Sequence, residues 1–124
     1  MNKMMGALVL FALLAMPVFG QQNIEQQKIA YLIDSVATLK DATFIRNGTP
    51  YDAAHAADHM RLKLRFAGSR VKTAEDFITY CATGSSMSGI KYSIRFSDGR
   101  TVDSVTFLHG KLTEYEARAA SRTR

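Results

Sequence analysis

A chain of 124 residues is long enough for one domain and short for two. Its 16 Lys and Arg against 11 Asp and Glu give a net charge of +5 spread along the chain; that fits weak attraction to anions and lacks the dense basic patch that nucleic acid demands. The single cysteine, Cys81, excludes an internal disulfide, so packing must hold the fold, and Cys81 itself reads first as a small buried apolar side chain.

At the N-terminus, Lys3 precedes 16 uncharged and mostly apolar residues, Met4 to Phe19. As a helix this run covers about 24 Å, short of the ~30 Å bilayer core and long enough for the apolar part of a signal peptide. Val18-Phe19-Gly20 then offers modest side chains before Gln21, as a cleavage site requires. We therefore expect a cleavable signal peptide over residues 1–20 and a periplasmic or secreted domain over 21–124, not membrane-spanning after cleavage; an uncleaved anchor is the alternative. No Cys follows the apolar run, which argues against a lipoprotein. Removing Lys3 with the signal leaves 15 basic against 11 acidic residues, a net of +4, so the exported part stays basic.

Apolar residues at Ile29, Leu32, Ile33, Val36 and Leu39 predict a helix from Ile24 to about Lys40. Thr43-Phe44-Ile45-Arg46, the turn pair Asn47-Gly48 and Thr49-Pro50-Tyr51 predict a short hairpin. Asp52 is placed to cap a second helix that stops at Gly68. One side of that helix carries Ala53, Ala57, Met60, Leu64 and Ala67 and nearly the opposite side His55, His59, Leu62 and Phe66, a pattern that predicts a central helix sandwiched between other elements. Thr73 followed by Glu75 and Asp76 marks a third helix start, with Phe77, Ile78, Cys81 and Ala82 inward and Gly84 at the end. After the loop 85–89, Ile90 to Phe96 alternates as a strand and turns at Asp98-Gly99 into Arg100-Thr101-Val102. Asp103 or Ser104 caps a last helix in which Val105, Leu108, Leu112 and Tyr115 share a face, and the basic tail from Arg118 to Arg124 reads as loose. The expected fold is a single small α+β domain of about four helices and two short β-hairpins.

Three stretches carry a resemblance: Thr43 to Gly48 with Ala-Ala-Asp-His at 56–59, Thr73 to Ile78, and Ser85 to Gly89 leading into Tyr92 to Phe96 and Asp98-Gly99. Together they resemble the YfeK-type family of small exported bacterial proteins, a domain of unknown function, over roughly Ile29 to Tyr115. The resemblance implies a bacterial source and an exported site, and it brings no activity. Asp58, His59, Ser85, Ser86, Ser88 and Gly89 match its motifs, whereas His55 and Cys81 fall outside them.

Four constellations carry chemistry. His55 and His59 lie four residues apart on one helical face, a spacing that lets two imidazoles reach one zinc ion, while Asp58 points away from them. Ser85-Ser86-Met87-Ser88-Gly89 can present hydroxyls and amides to a phosphate or carboxylate, with Arg95 adding charge, but it lacks the glycine spacing and the Lys-Ser/Thr of a P-loop. Ser86, His59 and Asp58 are the one nucleophilic set that can be nominated, without a supporting elbow motif. Arg61, Lys63, Arg65, Arg70 and Lys72 form a basic run. The reading that absorbs most of this is a non-enzymatic binding or interaction module. It would recognise an anionic envelope component or another periplasmic protein through Arg61, Arg65, Ser85, Ser86, Ser88, Gly89 and Arg95, with Asp58 and His59 beside them. A metal-binding protein or metal-dependent hydrolase on His55 and His59 is the alternative, and a dimer through Cys81 a third; no cofactor is expected.

Overall fold

The computed structural model describes residues 18–123 apart from Ser86, so most of the expected signal peptide lies outside the described residues. Helix α1 (Val18–Ala37) buries Ile29, Leu32, Ile33 and Val36, the i, i+3, i+4, i+7 spacing that puts one stripe toward a core. It packs against all three later helices and is the central helix, a place that the sequence pattern assigned to the second one.

Strands β1 (Thr43–Arg46) and β2 (Thr49–Tyr51) form the expected hairpin. Asn47 and Gly48 at its tip have φ of 51° and 78°, the positive values that a two-residue hairpin turn needs at both positions. Helix α2 (Ala53–Ala67) begins where Asp52 accepts from the His55 amide at 2.9 Å and ends at Gly68, φ 54°. Only its Ala57, Met60 and Ala67 stripe is buried; Phe66 is 79% exposed and Leu62 39%. The expected two-sided burial of α2 therefore fails at Leu62 and Phe66, although α2 also meets α1, the segment Ile78–Ala82 and β1.

Helix α3 (Ala74–Phe77) opens on a capping box: the Thr73 hydroxyl accepts from the Asp76 amide, and the Asp76 carboxylate accepts from the Thr73 and Lys72 amides. It continues into a π-helical turn, Ile78–Ala82, that buries Ile78, Cys81 and Ala82. Strands β3 (Ser93–Arg95) and β4 (Thr101–Asp103) follow, and helix α4 (Ser104–Arg122) closes the chain. The strand expected from Ile90 is shorter, reduced at its start to a Gly84–Lys91 bridge. The tail expected to be loose is helical to Arg122, where Arg118 donates to the Tyr31 hydroxyl and ties α4 to α1.

The hairpins fuse through antiparallel β1–β3 pairing into one sheet of order β2-β1-β3-β4. Its register sets Tyr51, Phe44, Ile94 and Val102 level across the four strands. Phe44 and Ile94 are buried, so this row faces the helices. The molecule is an α+β domain of four helices and two hairpins. No helix among the described residues is long and apolar enough to cross a membrane.

Candidate functional site

One step along the same ladder the inward row changes character. Side chains on a strand repeat at i and i+2, so Arg46 shares the face of Phe44 and Tyr92 that of Ile94. Ser104, whose amide donates to the Tyr92 carbonyl at 2.9 Å, falls level with Tyr92. Arg46, Tyr92 and Ser104 thus form a polar row just beyond the apolar one. Opposite them α2 presents His55, Ala56, His59 and Met60, and together these residues line a recess of about 180 Å³ with Phe44, Ile45, Tyr51 and Ser93. Its walls are mostly apolar, and none of its lining residues is acidic.

Arg46 is half-buried, and its Nη1 lies 2.7 Å from His59 Nδ1 and 2.6 Å from His59 Nε2. A guanidinium only donates, so only the unprotonated nitrogen of a neutral His59 can accept from it, and Nη1 standing against both ring nitrogens is a close contact with the imidazole edge rather than one aligned hydrogen bond. The electrostatics agree: burial lowers the His59 pKa from its ordinary 6.5, and the charges of Arg46 and Lys63 lower it further. The Arg46 guanidinium also sits 5.4 Å from the centre of the Tyr51 ring. Lys63, one turn beyond His59 on α2, donates to the Tyr92 hydroxyl and the Gly84 carbonyl, both at 3.1 Å. Among the described residues neither half-buried cation has a carboxylate within ion-pair distance.

The residues singled out from the sequence are scattered around this recess. Asp58 pairs with Arg61 at 2.9 Å on the exposed side of α2, and Arg61 borders a shallow surface beside Tyr31 and Asp34 of α1. Arg65 is exposed on α2, and Arg95 lies on the sheet face opposite Ile94. Ser86 lies outside the described residues. Within its loop, Ser85 Oγ accepts from the amides of Met87 and Ser88, Ser88 Oγ accepts from Ile90, and the Gly89 amide donates to the Ser85 carbonyl. These amides therefore serve the loop itself. The Ser88 hydroxyl donates to Asn47 Oδ1 at 2.7 Å and fastens the loop to the β1–β2 turn.

His55 and His59 have separate partners, His55 Nδ1 standing 2.7 Å from Asp52 and His59 facing Arg46. Among the described residues no three His, Cys, Asp or Glu side chains gather into a possible metal set. Cys81 is fully enclosed, and burial pushes its thiol pKa up against the pull of Lys63 and Arg70. A buried, protonated thiol has no route to a partner chain without unfolding, which corrects the dimer reading. Of the nominated residues, His55 and His59 line the recess, and His59 alone meets Arg46. Arg46, Tyr92 and Ser104 were missed, and Lys63 was read only as part of the basic run, although the parity of Arg46 with Phe44 and the i+4 spacing of Lys63 from His59 were readable signals.

No solved structure matches this chain. It is 38% identical over 93 residues to the "Uncharacterized protein YfeK" of Salmonella typhimurium, a match covering 74% of this chain and 77% of that one. A family described as a family of unknown function (DUF5329) matches residues 23–116. On both grounds the chain belongs to the DUF5329 family, the YfeK-type family of unknown function.

Proposed function

We propose that this chain is a non-enzymatic binding module of the bacterial cell envelope, and that its recess takes a small carboxylate with an apolar body. The observation that carries this reading is the half-buried Arg46 set against an imidazole with no carboxylate nearby among the described residues. Removing a cation from water is costly unless an anion or strong acceptors compensate it. One N–H of the guanidinium meets His59, which leaves donors free for a carboxylate. The hydroxyls of Tyr92 and Ser104 are further polar groups in the recess. Apolar walls around about 180 Å³ suit one ring or a short chain, since a dry cavity of about 150 Å³ holds benzene. Export is supported by the uncharged run Met4–Phe19 and by a family match that starts at residue 23, just past the expected cut.

Calorimetric titration with benzoate, butyrate and inorganic phosphate tests the site. Benzoate is expected to bind best and phosphate worst. Arg46→Gln should weaken benzoate by about 10- to 100-fold, the loss of one charge-assisted hydrogen bond. If no carboxylate binds, or if Arg46→Gln binds benzoate as the parent does, the reading fails.

A further inference from the structure

Ser104 has an unspent hydrogen bond. It is 1% exposed, the one polar residue buried among the described residues, and it lines the recess with Arg46 and Tyr92. Its hydroxyl finds no hydrogen-bond partner among the described residues, yet no polar side-chain atom sealed within them lacks one. The Ser104 oxygen therefore opens onto the recess. A hydroxyl held in apolar surroundings without a partner costs stability, so its position calls for a polar group from outside the chain.

The helix that Ser104 begins decides whether that group accepts or donates. Helix α4 runs for 19 residues, and the Asp103 side chain does not cap it. The Asp103 carboxylate lies 3.8 Å from Lys91 instead, and alternation along β4 puts it on the sheet face opposite Val102. The N-terminus of a long helix carries a partial positive charge, and no residue lining the recess is acidic. An oxygen that accepts is favoured there over an ammonium or an amide N–H. The ladder sets the reach. Arg46 falls level with Tyr92 and Tyr92 with Ser104, in the order β1-β3-β4. Two strand steps of about 4.8 Å put the backbones of Arg46 and Ser104 about 10 Å apart, with Tyr92 between them.

We infer that the ligand of the recess carries a second acceptor oxygen, a carbonyl or a carboxylate, which takes the Ser104 hydroxyl while its first carboxylate meets Arg46. The inference rests on the carboxylate reading of the recess and adds the polarity of the ligand's far end. Valerate and levulinate test it, because levulinate is the same acid chain with one ketone oxygen added toward its far end. In calorimetric titration levulinate is expected to bind about 3- to 10-fold tighter, the worth of one hydrogen bond. Ser104→Ala should bind valerate as the parent does and lose the advantage of levulinate. Levulinate no tighter than valerate would leave Ser104 to water, and an advantage kept by Ser104→Ala would seat the ketone elsewhere. Either result overturns the inference while the carboxylate reading stands. If neither acid binds, the carboxylate reading has failed and takes this inference with it. Should Ser104→Ala fold poorly, the comparison of the two acids on the parent decides alone.

Discussion

Arg46 and His59 show how a side chain acquires its chemistry from neighbours distant in sequence. Folding buries the imidazole, sets a guanidinium against it and brings Lys63 close by, so the folded state disfavours the protonated ring. In the unfolded chain His59 gains its proton as the pH falls through about 6.5, while the folded chain resists protonation until a lower pH. The unfolded state then holds more protons, and stability is lost through this window. The melting temperature of the parent should therefore drop more between neutral pH and about pH 5 than that of His59→Gln, because the other histidines are common to both proteins. An equal drop in the two proteins would show that folding does not disfavour protonation of His59. Tyr92 makes the same point in another way. Its alternation with Ile94 marked it as inward, but only the pairing of β1 with β3 and of β3 with β4 revealed that Arg46 and Ser104 flank it.

Elements were legible wherever one residue's local chemistry decides the backbone. Asp52 and Thr73 cap helices because their side chains accept from amides that the first turn leaves unpaired. Asn47-Gly48 closes a hairpin because both residues tolerate positive φ. The π-helical turn at Ile78–Ala82 had no such signal: the Thr83 hydroxyl donates to the Ile78 carbonyl five residues back, and the tight packing of Gly84 depends on a segment that meets it only after folding. A Cβ on Gly84 would stand 2.8 Å from the Ile90 carbonyl oxygen and 3.2 Å from Lys91 Cα, both backbone atoms. Gly84→Ala is therefore expected to destabilise the domain by about 1–3 kcal/mol, read as a lower denaturant midpoint with an unchanged slope. An unchanged midpoint would mean that the 85–90 loop moves aside at no cost and that its position is not held by this approach.

Across the whole molecule, α1 holds the other three helices together, so where it is processed matters to the fold. The expected cut before Gln21 would remove only Val18 to Gly20 of α1, and its first buried core residue is Ile29. The domain should therefore survive cleavage. Mass spectrometry of the chain recovered from a bacterial envelope fraction should show Gln21 as the first residue, and a chain still beginning at Met1 would refute processing there. Composition and local pattern determined the α+β class, the four helices, the turns and the helix caps, because each follows from the chemistry of a few adjacent residues. They also determined that Cys81 stays in the core, where a small apolar side chain costs nothing to bury. Tertiary structure alone decided that α1 occupies the centre, that the two hairpins join through β1 and β3, and that α2 leaves Leu62 and Phe66 in solvent. Those outcomes depend on which surfaces compete for the same apolar partners, and no window of adjacent residues contains that competition. The recess belongs with them: Arg46, His59, Tyr92 and Ser104 come from a strand, a helix, the run before β3 and the first residue of α4. Long-range strand pairing placed Arg46, Tyr92 and Ser104 together and the packing of α2 brought His59 to them, after each had been readable only as a member of its own element.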